Sequence, residues 1–334
     1  MDNQIPALAL SQNWYPKRIT WNDGCPTLKW QRIGNKEFTE PFYLDTLNRA
    51  LSDIDVDKLF MDTSLGVLEA LSEQLPSQKP DGFIFHMSRC GSTLLANMLR
   101  SHPRHLVISE AQPLDGVLRS HFNDSSITEE QRALWFKALV NIIGRQRDSQ
   151  SHRYFIKLDC WHTSAIPFIR QLYPDTPCLF VYRSPAEVLA SHHKLAGNQM
   201  VPGLIEAQWY TNEASVTETM TFQEYGVWVM EKILEAALLA HNDSPMLLVS
   251  YTEFPHAYTQ KIAPFLNIPQ GEANEAELNN TIKTHSKNIG ETFCSDINEK
   301  QRIANSIYSD GQLDRVNNLY WEVEEARAKL KDIG

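Results

Sequence analysis

The sequence predicts an α/β fold in three layers, a central parallel sheet flanked by helices. Three observations predict it. Between residues 81 and 251, short apolar runs alternate with segments whose apolar residues recur at i, i+3 and i+4. The short runs are apolar throughout, as strands covered on both faces are. One of them, FIFHM (83–87), leads through a glycine-bearing turn directly into a helical pattern.

In chain order, TLKWQRI reads as a strand, and LDTLNRALSDI and LGVLEALSEQL have amphipathic helical spacing. SQKPDG is a turn cluster. After FIFHM, the pattern TLLANMLRS stops before Pro103, and HLVIS (105–109) is a second short strand. Residues 128–146 predict a helix with Thr128 as its N-cap. YFIKL (154–158) is a strand, SAIPFIRQLY a helix and PCLFVY (177–182) a buried strand that contains Cys178. The next helix starts at SPAEVLASHHK, where Ser184 can cap and Pro185 takes the first helical position. A long helix over 222–242 includes Trp228, MLLVSY (246–251) is the last strand, 270–280 a solvated connection, and the last 20 residues a charged helix. The expected organisation is an extension over 1–80 packed on the core, a core over 81–268, and a segment over 269–334 that completes the fold.

The 334 residues include 31 Lys+Arg against 41 Asp+Glu, a net charge of −10. That balance disfavours broad capture of nucleic acid but permits a local anion pocket. The five cysteines are scattered without CxxC spacing, so a zinc or redox site is not expected. No run approaches the ~20 apolar residues of a membrane span. Asp2 lies where a secretory signal would have positive charge, and a cytoplasmic location is expected.

Two segments point to chemistry. The first is Ser88-Arg89-Cys90-Gly91-Ser92-Thr93, between a strand and a helix. A helix start leaves backbone N–H groups unpaired and carries partial positive charge, so it can hold a phosphate. Gly91 permits a tight turn, Ser92 and Thr93 supply hydroxyls, and Arg89 adds a charge. The Walker pattern is absent, and an ordinary capped turn has the same ingredients. The second segment follows PCLFVY: Arg183, then Pro185, then Ser191. Arg183 is at the carboxyl end of a strand, where open α/β sheets bind ligands, although a surface ion pair would place it there equally. Ser191 is eight residues on, about 12 Å along the helix at 1.5 Å per residue.

Together these segments resemble the sulfotransferase family that uses 3′-phosphoadenosine 5′-phosphosulfate (PAPS). Its 5′-phosphosulfate loop reads approximately P-[RK]-S-G-T-T, against Ser88 to Thr93 here. Ser88 replaces the proline and Cys90 the serine; both are small. Its 3′-phosphate motif is an arginine, a proline two residues later and a serine eight residues later, as in Arg183, Pro185 and Ser191. A later strand ends in Tyr and an acidic residue after a Trp-bearing helix, as in Trp228 and Tyr251-Thr252-Glu253. The likeness spans about residues 81–268 and implies a P-loop-containing fold.

Within the family, tyrosylprotein sulfotransferases and similar enzymes carry a glutamate 21 residues after the loop arginine, which is Glu110 here, and a lysine 26 residues before the 3′-phosphate arginine, which is Lys157. Cytosolic sulfotransferases place a histidine base two residues after that lysine; this chain has Asp159. The resemblance implies Glu110 as base, Arg89 and Lys157 as charge stabilisers, PAPS as donor with adenosine 3′,5′-bisphosphate (PAP) as product, and no metal. It also implies that Lys287 lends charge to the 3′-phosphate and that Tyr251 stacks on adenine. On the residues alone, Glu110 also reads as a helix-start acid, Lys157 as a strand-edge lysine, Lys287 as solvent-facing and Tyr251 as core. His162 reads as a base or a capping residue, and His192-His193 as a solvated helix face.

The expected acceptor is a hydroxyl-bearing small molecule, carbohydrate or peptide, with an amine also open. The chain as monomer or homo-oligomer is equally compatible with the sequence. The rival readings are a P-loop kinase, which would need a P-loop lysine and a metal-holding acid, and a non-catalytic nucleotide-binding relative.

Overall fold

The computed structural model describes residues 14–22, 24–53, 60–74, 79–145, 153–211, 213–269, 297–309 and 311–331. Lys287 and the connection expected over 270–280 lie outside them.

The strands of the main sheet are β4 (Gly82–His86), β5 (His105–Ser109), β6 (Arg153–Lys157), β7 (Cys178–Tyr182) and β8 (Leu247–Ser250), in the order β5-β6-β4-β7-β8. The sheet is parallel and flanked by helices. β5 pairs with β6 from His105↔Arg153 to Ser109↔Lys157, and β7 with β8 from Leu179↔Leu247 to Tyr182↔Ser250. Every residue of β4 and β7 is buried, which is why their sequences are apolar without alternation. Parallel neighbours need long crossovers, and helices supply them.

By its contacts the chain divides into two compact units. One comprises Met1–Phe83, His102–Leu158 and Arg170–Thr176; the other comprises Ile84–Ser101, Asp159–Ile169 and Pro177–Gly334. In the first, β1 (Trp14–Asn22), β2 (Cys25–Arg32) and β3 (Phe60–Ser64) form an antiparallel sheet in that order. The sequence signals only β2. β1 is hidden by Pro16 and by a shift of register between Pro16 and Arg18, which interrupt its alternation. Two helices follow their predicted spacing, α1 (Tyr43–Arg49) and α2 (Val67–Gln74). α4 (Gln112–Leu118) packs on β1, and α5 (Glu129–Gly144) packs on α2. Thr128 caps α5 as predicted, its hydroxyl accepting from the Gln131 N–H at 3.2 Å.

In the second unit, α3 (Ser92–Arg100) leaves β4 through the turn at 87–91. α6 (Ile166–Leu172) begins in this unit, and α7 (Pro185–Lys194) leaves β7. Ser184 occupies the N-cap of α7, but its side chain makes no capping bond; its carbonyl accepts from the N–H groups of Glu187 and Val188. α8 (Phe222–Asp243) starts with a capping box in which Thr221 and Glu224 satisfy each other's backbone N–H. α9 (Ile297–Ile307) seats Ala304 against Ala186 and Ala190 of α7, and α10 (Asp314–Lys331) packs on α8 and β8. Cys178 is buried, as expected. Among the described residues no helix is long and apolar enough to cross a membrane.

Candidate active site

Each candidate residue other than Lys287 follows or ends a strand of the parallel sheet, or lies on the helix that leaves it. The loop after β4 is wound tightly. Ser88, Arg89 and Gly91 have φ of 73°, 50° and 87°, the left-handed region that costs non-glycine residues energy. Such backbone persists only when its surroundings over-determine it, and here they do. The Met87 N–H and the Cys90 thiol both donate to the Val181 carbonyl on β7, each at 3.1 Å. The Arg183 N–H points at the Met87 sulfur, 3.2 Å away. The Ser88 N–H donates to His86 Nδ1 at 3.0 Å, and Arg89 Nη2 donates to the Leu195 carbonyl at 3.0 Å.

Cys90, in place of the family's serine, therefore turns inward and fastens the loop to β7. Ser92 and Thr93 are buried in the first turn of α3, whose N–H groups have no partner within the helix. Half-burial pulls the Arg89 pKa below the usual arginine value, and the group stays cationic.

Arg183 is also fixed. Its Nε and Nη2 both donate to Glu187 Oε2 at 2.5 Å, one helical turn on, and its guanidinium lies 3.9 Å from the centre of the Tyr251 ring. The same ring closes on the loop: a Cβ at Gly91 would sit 2.9 Å from Tyr251 Cδ2. The ring of Tyr251 thus touches both the turn around Gly91 and the guanidinium of Arg183. Ser191 is half-buried two turns into α7. All of these residues belong to one unit.

In the other unit, Glu110 follows β5 with φ of 53°, and its N–H donates to the Lys157 carbonyl at 2.8 Å. The Lys157 ammonium forms an ion pair with the Glu110 carboxylate and lies 5.3 Å from the centre of the Phe42 ring. Lys157 is 1% exposed and sits on an inner strand of the sheet. Glu110 precedes the N-cap of α4, Ala111, so it is not in that helix's first turn. The structure brings together the carboxylate and the ammonium that the family resemblance had singled out separately.

Asp159 and His162 form a capping box at the start of a 3₁₀ helix, with the Asp159 N–H donating to His162 Nδ1 at 3.2 Å. His162 is buried in that capping role. The pair His192-His193 does not form a solvated face: His193 is exposed, but His192 is buried, its ring set against Ser88 and the chain at Gly197 and Gln199.

Sequence reasoning missed Glu187, His192 and His86. Glu187 was legible as an acid four residues after Arg183 at a helix start. The histidines gave no signal: no local pattern shows that His86 Nδ1 takes the Ser88 N–H, and the Ser88 side chain that meets His192 is 104 positions away.

A family model described as "Sulfotransferase family" matches residues 80–272, more than half of the chain. The chain belongs to the sulfotransferase family. It is an enzyme of the transferase class with a P-loop-containing fold. Among solved structures, the sulfotransferase is similar to STF9 from Mycobacterium avium, at 13% identity over 69% of this chain and 76% of that one, TM-score 0.41. It is similar to the sulfotransferase domain from the curacin biosynthetic pathway, at 12% identity over 75% and 99%, TM-score 0.44. It is also similar to mouse sulfotransferase SULT7A1 complexed with PAP, at 13% identity over 94% and 98%, TM-score 0.41. No curated protein sequence matches the chain.

Proposed function

We propose that this sulfotransferase moves a sulfuryl group from PAPS to a hydroxyl-bearing acceptor, with Glu110 as the base. The observation that supports the PAPS half is the Tyr251 ring, which lies against both the Gly91 turn and the Arg183 guanidinium. A doubly phosphorylated adenosine needs two anion sites at a fixed separation, and a shared rigid ring holds such sites in register. The residues also fit the ligand chemically: a wound loop feeding a nine-residue helix for one anion, and a buried arginine for the other. PAPS supplies the activated sulfuryl group when bound.

The protein's residues then divide the remaining work. Sulfuryl transfer, like phosphoryl transfer, needs alignment and charge stabilisation more than covalent help. Glu110 takes the acceptor's proton as the acceptor oxygen bonds to sulfur. Arg89 neutralises the charge left on the bridging oxygen as its bond to sulfur breaks. Lys157 orients the sulfonate oxygens, and its ion pair with Glu110 fixes both side chains before substrate arrives. Backbone N–H groups of the loop with Ser88, Ser92 and Thr93 hold the 5′ anion; Arg183 and Ser191 hold the 3′-phosphate.

The test is a thermal-shift comparison of PAP with ATP, ADP and GTP. A ligand that binds only the folded state stabilises it by mass action, about 2.7 kcal/mol at a hundredfold excess over Kd. Selective stabilisation by PAP is expected; equal or greater stabilisation by ATP points to phosphoryl transfer instead.

A further inference from the structure

Ser88 replaces the rigid proline with which the family's loop begins, and its side chain has a specific partner. Its Oγ lies 3.1 Å from Nε2 of His192, a buried residue on α7 immediately after Ser191. The other ring nitrogen of His192, Nδ1, lies 3.1 Å from the Gly197 backbone nitrogen, which donates its hydrogen. A backbone N–H cannot accept, so Nδ1 must be the unprotonated nitrogen, and the neutral ring carries its hydrogen on Nε2. Nε2–H therefore faces Ser88 Oγ as a donor. The Gln199 side-chain amide lies 3.2 Å from the same Nε2; with a donor there, it presents its oxygen, since the two ends of an amide are assigned by their bonding.

We propose that His192 is a positioning residue for the anion loop, its Nε2–H donating to Ser88 Oγ so that the Ser88 hydroxyl hydrogen is turned toward a bound phosphate or sulfonate oxygen. A hydroxyl has one hydrogen and two lone pairs. Once it accepts from His192, its own hydrogen points elsewhere, and an anion on the loop is the acceptor that gains from it. The same stretch of chain also grips the neighbouring residue, because the Leu195 carbonyl accepts from Arg89. The segment from His192 to Gln199, which continues the helix bearing Ser191, thereby sets the loop through both Ser88 and Arg89.

The proposal rests on PAPS as the ligand, and the experiment separates the two. PAP binding is measured by calorimetry on the full chain. His192→Leu and Ser88→Ala are each expected to weaken PAP about tenfold, the scale of one hydrogen bond to a charged group. The double variant should lose no more than either single one, and His192→Gln, whose amide nitrogen reaches the Nε2 position, should recover most of the loss. Wild-type affinity in His192→Leu, or losses that add in the double variant, overturns the proposal. If His192→Leu does not fold, ring-nitrogen NMR on the wild-type protein decides: a proton on Nε2 supports the proposal and one on Nδ1 overturns it. A folded wild-type protein that does not bind PAP overturns the PAPS assignment, and the NMR result still reports on the His192–Ser88 bond.

Discussion

In the proposed mechanism Glu110 serves chemistry and Arg183 serves binding, so their removal should separate the two. Glu110→Gln keeps the shape but cannot take a proton, so turnover should fall by about 10²–10⁴ with PAP affinity nearly intact. A steady-state assay paired with calorimetry reads both, and unchanged turnover would remove Glu110 from the mechanism. Arg183→Ala should weaken PAP far more than adenosine 5′-phosphate, which lacks the 3′ anion; equal losses would make the residue structural. Gly91 is constrained twice, by its φ of 87° and by the Tyr251 ring, which a Cβ would meet at 2.9 Å. Gly91→Ala should therefore cost about 1–3 kcal/mol of stability in urea titrations and weaken PAP as well. These positions were legible as spacing in the sequence. Their partners were legible only in part: Glu187 lies four residues from Arg183 and His86 two from Ser88, but the meeting of His192 with Ser88 spans 104 positions and no local pattern shows it.

Among elements, the short turn after β8 carries Tyr251. Glu253 ends that turn. Burial alone would raise its pKa, but bonds from Lys261 and the Ser250 N–H, together with the charge of Arg327 at 2.9 Å, outweigh burial and hold it below the usual glutamate range. A carboxyl depressed in the folded state contributes stability above its unfolded pKa and loses it as pH falls through the folded value. Glu253→Gln should accordingly cost about 1 kcal/mol at neutral pH and flatten the acid limb of the stability curve. Urea midpoints between pH 7 and pH 3 check this, and parallel curves for the two proteins would refute it. The parallel strands and most of the helices follow the period and length read in the sequence, but α4 and α9 gave no such signal. β1 and β3 were not, since a proline, a bulge and half-exposed faces leave little alternation to read.

At the scale of the whole molecule, the loop, Arg183, Ser191 and Tyr251 lie in one compact unit, and Glu110 and Lys157 lie in the other. PAP should slow amide exchange first in residues 88–95 and in the turn at 251–253; protection confined to the first unit would contradict the nucleotide assignment. The sequence by itself determined the fold class, the strands that end in the candidate residues and the family, because these depend on local period and on short motifs that each occupy a few consecutive residues. Tertiary structure alone decided that Lys157 is buried in an inner strand against Glu110 and that one tyrosine ring serves both Gly91 and Arg183. The physical reason is that burial and pairing arise from residues 47 to 160 positions apart, and no local pattern of the chain encodes which of them will meet.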